Sequence, residues 1–199
     1  IGPAFHAGQL ALWHSFLFAA STATLCAALG LAGWRCRLGA LLWLPFLVPG
    51  TLLGIGLIFV LNRPPLHAVQ QSSAIVILGF TLRYLVLSWT GAARAMRAVD
   101  PDLTDAAKLE GASGWSLFRH IHWPQIAPQI GAAWYVTYLL CLWDVETLVF
   151  TVPPGAETVS LRIFNLLHYG WNNQVNALCA LLLGLAVLPG LLWRAACAL

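Results

Sequence analysis

The chain has 199 residues, of which 60% are hydrophobic and only 9% are charged; its net charge is +3. A soluble domain carries about 25% charged residues because its surface faces water, so this composition excludes an ordinary soluble domain and indicates an integral membrane protein. The few basic residues form no cluster typical of a nucleic-acid-binding face, and we expect membrane lipid, with no nucleic acid, around the chain.

Five stretches are long and apolar enough to cross a bilayer as helices, which takes about 20 residues each. The sequence therefore predicts an all-α, polytopic membrane helix bundle with five transmembrane helices. The stretches are roughly Leu10–Leu31, Leu38–Leu61, Ser72–Ala93, Ile130–Val152 and Val175–Trp193.

The second stretch is rich in prolines and glycines, with Pro45, Pro49, Gly50, Gly54 and Gly56. Proline removes a backbone donor and glycine lets helices approach closely, so we expect this helix to be kinked and tightly packed. Two interpretations stay open: a helix that lines a translocation path, or a packing helix such as any polytopic protein contains.

The basic residues indicate the direction of the chain across the membrane, because cytoplasmic loops carry an excess of Lys and Arg. Alternate connections on one side hold seven of them, and the other side holds two, Arg63 and Arg162. We therefore expect the N-terminus outside and the C-terminus in the cytoplasm. The seven are Arg35, Arg37, Arg94, Arg97, Lys108, Arg119 and Arg194.

A polar insert over residues 94–128 separates the third and fourth stretches. Within it, Asp100 suits a helix N-cap, Pro101 the first helical position and Gly111 a left-handed residue after the helix end. A second short helix follows the break at residues 112–114, and we expect Pro124 to stop it. The result is a cytoplasmic helix–turn–helix elbow, which requires either a protein partner or a place on the lipid surface.

The elbow sequence DAAKLEGASGWSLFRHIHWP resembles the EAA loop of the inner-membrane permeases of binding-protein-dependent ABC importers of type I. In that pattern, Asp105 stands for Glu, Ala106 and Ala107 match, and Gly111 follows after three residues. Nine residues later come Ile121 and, after two more residues, Pro124. Two positions depart from the pattern: Asp105 keeps the charge of Glu, and the bulkier Trp123 occupies the Leu position.

The resemblance implies that residues 100–124 couple this chain to a separate cytoplasmic ATP-binding subunit, which hydrolyses ATP. It also implies two further partners, a second permease module (a homodimer, a heterodimer or a fused half) and an extracytoplasmic solute-binding protein. Residues 1–199 would form a single permease domain in the bacterial inner membrane, one half of a longer or dimeric permease, as a start at Ile1 suggests. No GxxxxGK[ST] phosphate loop occurs, so we expect no cofactor on this chain.

Three ionisable residues fall inside or near the predicted spans: Arg83 in the third, and Asp144 and Glu146 near the outer end of the fourth. Such residues usually face a cavity or a partner. One hypothesis pairs Arg83 with a carboxylate across the bundle. Another places Asp144 or Glu146 on the substrate path, where a carboxylate suits a cation.

The remaining candidate groups indicate no metal site. His120 and His122 point to different sides of a helix, so they do not readily share an ion, and His14 and His168 stand alone. Five cysteines have no CxxC or metal-ligand spacing and are expected as small packing residues. They are Cys26, Cys36, Cys141, Cys179 and Cys197.

The stretches LPFLVPGTLLGIGL and VPPGAETVSLRIFNLLHYG resemble permeases of the ferric iron, thiamine and phosphonate import group. Ferric iron is the cargo that this resemblance implies first. The function we expect is a permease subunit, with no catalytic or metal site of its own. The alternatives are an integral membrane enzyme, or a scaffold that only recruits a cytoplasmic partner.

Overall fold

The computed structural model describes residues 2–36, 39–169 and 172–198, and the described residues form helices without strands. Arg37, Leu38 and Gly170, which enter the expectations above, lie outside the described residues, as do the side chains of Trp193 and Cys197. The helices are α1 (Gly2–Gly33), α2 (Gly39–Leu47), α3 (Gly50–Leu61), α4 (His67–Gln70), α5 (Ala74–Arg97), α6 (Pro101–Leu109), α7 (Gly114–Leu117), α8 (Trp123–Trp143), α9 (Leu148–Thr151), α10 (Val159–His168) and α11 (Asn172–Ala198).

Four stretches of helix in the described part of the chain are long and apolar enough to span a membrane, and the pair α2–α3 counts as a fifth if it forms one broken span. The expected all-helical, multi-pass bundle is therefore confirmed. The four stretches are Gly8–Gly33, Ala74–Arg97, Gly114–Trp143 and Gln174–Leu192.

The second predicted span is broken rather than continuous, because α2 and α3 meet at an angle of 105°. The break falls at Pro49, which precedes α3 with an extended ψ of 136°. Proline has no N–H to continue the α2 ladder, and the Pro49 carbonyl instead accepts the Leu53 N–H at 3.1 Å to begin α3. The predicted kink is confirmed, but its size makes two helices of one predicted span.

The fourth span begins earlier and ends earlier than its sequence predicts. Pro124 does not stop the elbow's second helix: a π-helical turn at Phe118–His122 joins α7 to α8, which continues through Pro124. In that turn the Trp123 N–H donates to the Phe118 carbonyl, five residues back instead of the usual four. Pro124 follows directly, in the first turn of α8, where a proline is tolerated. The helix ends at Trp143, not at Val152.

Helices α1, α5 and α8 pack together at the centre of the bundle, around buried Phe18, Phe80 and Tyr138. Small residues permit the close approach. A Cβ added to Gly30 of α1 would lie 2.8 Å from the Ser88 carbonyl carbon of α5, so only glycine fits there without a shift. Such small-residue contacts are typical of membrane helices.

Candidate functional site

Arg83 lies midway along α5 and points its guanidinium toward the end of α8. Its side chain is only 16% exposed. Nη1 donates to Asp144 Oδ2 at 3.2 Å and to Thr147 Oγ1 at 3.0 Å, while Nη2 donates to Glu146 Oε2 at 3.2 Å. The structure therefore brings together the three ionisable residues that the sequence singled out.

Asp144 is the most deeply buried member of this ion cluster, with a side chain only 2% exposed. It follows the last residue of α8 in an extended conformation, with ψ 100°. Its carboxylate also accepts the Tyr84 hydroxyl at 2.8 Å, the Thr147 N–H at 3.0 Å and the Thr147 hydroxyl at 2.8 Å. These donors and Arg83 give the buried carboxylate the hydrogen bonds and the opposite charge that burial requires.

Glu146 joins the cluster to the broken helix. Its Oε2 accepts the N–H of Gly50, the first residue of α3, at 3.0 Å, where the positive end of the helix dipole favours an anion. The carboxyl lies beyond the end of α8 and is 59% exposed. The Gly50 N–H, followed by the Arg83 guanidinium, holds the pKa of Glu146 below its usual value.

Gly50 has no room for a side chain. A Cβ there would overlap Arg83 Nη1 and would lie 2.8 Å from Thr147 Oγ1. The glycine of the Pro49–Gly50 pair therefore has two roles, since it starts α3 and lets the guanidinium pass over the helix end. The sequence marked Gly50 as a packing residue but gave no sign of its contact with Arg83.

The ion cluster ties together α3, α5 and the connection after α8. Of the two hypotheses for these residues, the geometry favours the ion pair across the bundle, because Arg83 already occupies both carboxylates. Asp144 is buried within these contacts, whereas Glu146 stays 59% exposed, and the single guanidinium balances only one of the two carboxylate charges. Among the described residues there is also no group of three or more His, Cys, Asp or Glu that could hold a metal ion.

The first helix of the elbow, α6, has the ends that the sequence predicts. The Asp100 carboxylate accepts the Asp102 N–H at 2.9 Å, and Pro101 occupies the first turn. At the other end, Gly111 has φ +88°, the Gly111 N–H donates to the Lys108 carbonyl at 3.0 Å, and the following N–H of Ala112 reaches back to Ala107 at 2.9 Å. This pair of hydrogen bonds is a Schellman motif, which glycine favours.

The elbow exposes apolar side chains that the chain itself does not cover. Leu109 is 90% exposed and Trp115 is 70% exposed, and Leu103 is also exposed. Ala106 lies exposed between them, Ala107 and Ile121 are half-buried, and Pro124 is exposed. Asp105 pairs with Lys108 at 2.8 Å on the same helix. The described part of the elbow is thus a capped, preformed surface with an apolar centre and a charged rim.

The two elbow histidines contact different groups, as expected. His120 Nδ1 lies 3.0 Å from the Ser116 carbonyl, and His122 Nε2 lies 3.4 Å from the Thr104 hydroxyl. The four cysteines with described side chains are free thiols.

Sequence reasoning missed two features of the structure. One is Gln125, whose side chain accepts the Asp100 N–H across the two limbs of the elbow and donates to the Ile121 carbonyl of its own limb. The other is a cavity of about 510 Å³ between the end of α3, α4 and residues 150–154, where the polar Asn62, His67, Gln70 and Gln71 lie among apolar side chains. Neither has a local sequence signal, because each depends on segments that are distant along the chain.

Known proteins share recognisable similarity with this chain. No family model matches it. Two relatives from Escherichia coli (strain K12) are the spermidine/putrescine transport system permease protein PotC, 32% identical over 92 residues, and the putrescine transport system permease protein PotI, 33% identical over 95 residues. The putative 2-aminoethylphosphonate transport system permease protein PhnV of Salmonella paratyphi A is 25% identical over 133 residues.

The chain is homologous to permease components of ABC importers. The matches cover 46%, 48% and 67% of this chain and 35%, 34% and 50% of PotC, PotI and PhnV, so the chain spans at most about half the length of these relatives. The resemblance of the chain to importer permeases is thereby confirmed. The relatives' names describe transport components rather than enzymes, and they do not support ferric iron as cargo.

Proposed function

We propose that this chain is a permease subunit of an ATP-driven importer, which passes a small solute from an extracytoplasmic binding protein to the cytoplasm. The observation that carries the proposal is the elbow: a rigidly capped, apolar surface at the base of spanning helix α8, in a homologue of importer permeases. An exposed apolar centre within a charged rim is typical of a protein docking site. An ATP-binding subunit supplies the energy. When this subunit moves, it displaces α6, to which it is bound.

The orientation of the chain follows from this role. The elbow faces the cytoplasm, the N-terminus lies outside, and the ion cluster and the cavity beside α4 lie toward the opposite end of the bundle. A second permease module completes the pathway, and the outward apolar surface of this bundle is suited either to lipid or to that module. Exposed leucines along α11 are part of that surface: Leu181, Leu183, Leu188, Leu191 and Leu192.

The cargo we propose is a solute that carries a primary ammonium group. Putrescine, spermidine and 2-aminoethylphosphonate, which the relatives' names mention, all have this group. The test is uptake by membrane vesicles that contain the assembled importer and its binding protein, with radiolabelled putrescine, 2-aminoethylphosphonate and ferric iron compared. Uptake of ferric iron alone would contradict the ammonium class while leaving the permease role intact.

Co-purification tests the permease role itself. The full-length chain, tagged and extracted from native membranes in mild detergent, should carry with it a protein that contains a phosphate-binding loop. Leu109→Glu, which places a charge at the apolar centre of the elbow, should abolish this association. Leu167→Glu, at a leucine on α10 that is also exposed (55%, against 90% for Leu109), is the control and should retain it.

The scaffold alternative makes a different prediction from the same preparations. A scaffold would bind a cytoplasmic partner through the elbow without ATP-dependent solute uptake. Loss of the partner in Leu109→Glu together with loss of uptake would support the permease. Association that is unaffected by Leu109→Glu would show that the elbow is not the docking site.

A further inference from the structure

Gln125, in the first turn of α8, links that helix to the start of α6 by one hydrogen bond and is held in place by a second bond within its own limb. We propose that Gln125 is the positioning residue that makes α6 and the base of α8 move as one body, so that displacement of the elbow is transmitted along α8. This inference rests on the proposed function, and it names the residue through which the coupling passes. Gln125 lies outside the part of the elbow that resembles the EAA loop.

The side chain of Gln125 reaches both limbs of the elbow. Its Oε1 accepts the backbone N–H of Asp100, at the start of α6, at 2.9 Å, and its Nε2 donates to the Ile121 carbonyl in the π-helical turn at 2.8 Å. One amide group thus uses its acceptor on the first limb and its donor on the second. A half-buried side chain held at both ends has little freedom to reorient.

The covalent connection between the limbs is poorly suited to carry a displacement by itself. It contains Gly111 with φ +88° and Gly114 with φ +52°, and glycine gives the backbone the widest choice of conformations. The Schellman hydrogen bonds hold Gly111, but rotation at Gly114, beyond them, would let α6 swing without moving α8. The hydrogen bond from Asp100 to Gln125 joins the two limbs at the other end of α6, away from this turn. Helix α6 is therefore fixed to the second limb at both of its ends.

The residues next to Gln125 are well packed against the rest of the bundle. Ile126, the next residue, is fully buried against Ala92 and Ala95 near the end of α5. One turn along α6, the Thr104 hydroxyl lies 3.4 Å from His122 Nε2, which provides a second and longer contact between the limbs. A displacement that reaches Gln125 therefore reaches the packed contact between α5 and α8.

Hydrogen exchange in the assembled importer tests the transmission without knowledge of the cargo. The complex of full-length chain, ATP-binding subunit and second module is reconstituted in lipid, and exchange is compared before and after trapping with ATP and vanadate. In the native complex, trapping should change the exchange of residues 101–109 and also of residues 144–147, at the far end of α8. Gln125→Met should keep the change in the elbow but reduce the change at residues 144–147 about fivefold, as expected for one lost hydrogen bond.

Three variants distinguish transmission from a general structural effect. Gln125→Glu keeps an acceptor for the Asp100 N–H and should restore the response at residues 144–147. Gln129→Met, one turn further along α8 at an exposed position, should behave as the native protein. If Gln125→Met does not assemble, Gln125→Asn, whose amide is too short to bridge the limbs, replaces it.

A native response at residues 144–147 in Gln125→Met or in Gln125→Asn would overturn the inference, as would failure of Gln125→Glu to restore it. If trapping does not change the hydrogen exchange of residues 101–109 in the native complex, the proposed function is wrong, and the inference is wrong with it. These results differ in which segment loses its response, so the two failures are distinguishable.

Discussion

Arg83 lies in the middle of a spanning helix, where a charged side chain costs about 2.5–3.5 kcal/mol on insertion scales. The structure offsets this cost with two carboxylates and the Thr147 hydroxyl. Asp144 depends on Arg83 in turn, because its carboxylate is almost completely buried. The two charges are therefore best understood as one unit that fixes the end of α8 against α5.

Removal of one charge should harm the fold more than removal of both. Arg83→Met leaves the buried Asp144 carboxylate without its cation, and we expect a loss of about 3–5 kcal/mol. Arg83→Met/Asp144→Asn should recover a large part of that loss, because no buried charge remains unpaired. The stability of both variants is measured as the midpoint of thermal unfolding in detergent, with size-exclusion chromatography to detect the folded protein that remains at each temperature. A double variant no more stable than Arg83→Met would contradict this pairing.

Replacement of Gly50 by alanine should destabilise the protein, and Gly56 on the same helix is the control. Gly50→Ala places a methyl group against Arg83 and Thr147 and should destabilise the protein by about 1–3 kcal/mol, as overpacking does. At Gly56 nothing lies within 4 Å of an added Cβ, so Gly56→Ala should be neutral or should stabilise α3 by about 0.5–1 kcal/mol. The same thermal assay compares them, and equal effects at the two positions would rule out the proposed contact.

The first helix of the elbow is the element whose sequence and structure agree best. Its caps are local: Asp100, Pro101 and Gly111 each act within a few residues, so their roles could be predicted from the sequence. The structure adds the Schellman hydrogen bonds and the exposed apolar surface around Leu109 and Trp115. A preformed elbow loses little conformational entropy when it docks, which favours binding.

Gly111→Val should disturb this element without removing the protein from the membrane. A β-branched residue at φ +88° costs about 1–3 kcal/mol of backbone strain, so the turn should open and the two limbs should lose their arrangement. We expect ATP hydrolysis to persist while solute uptake per ATP falls. Glu110→Val, at the preceding exposed residue with φ −81°, is the control. Normal uptake per ATP in Gly111→Val would count against the coupling role.

The positions of the spanning helices could be predicted from the sequence, but their ends could not. Apolar length was enough to place the spans, because about 20 residues are needed wherever they lie. It could not place their ends: the end of α8 at Trp143 depends on Asp144, whose partners Arg83 and Tyr84 lie about 60 residues away. Pro124 was expected to stop a helix because the preceding π-helical turn, which accommodates it, has no recognisable local pattern.

At the scale of the whole molecule, the chain connects two ends of a bundle. The elbow, with Gln125 at its base, lies at one end of α8, and the ion cluster that holds the broken helix lies at the other. Helix α8 and its packing against α1 and α5 form the rigid connection between them. Movement of the elbow would thus reach the point where α3 begins, at Gly50.

The ion cluster and the elbow together explain why a chain with so few charges keeps them where it does. Eight charged residues fall from Arg94 to Arg119: two end α5, and the other six lie on the elbow as its cap and rim. Three more, Arg83, Asp144 and Glu146, hold the far end of α8. The apolar remainder is suited to lipid or to a second permease module.

Cysteine cross-linking at the elbow tests the central claim most directly. A single cysteine replaces Ser113, the exposed residue between the two limbs, in a full-length chain whose native cysteines have been substituted, and cross-linked partners from native membranes are identified by mass spectrometry. Asn62→Cys, exposed at the opposite end of the bundle, is the control. We predict that Ser113→Cys captures an ATP-binding subunit and that Asn62→Cys does not; capture from Asn62→Cys, or from neither position, would contradict the coupling role of the elbow.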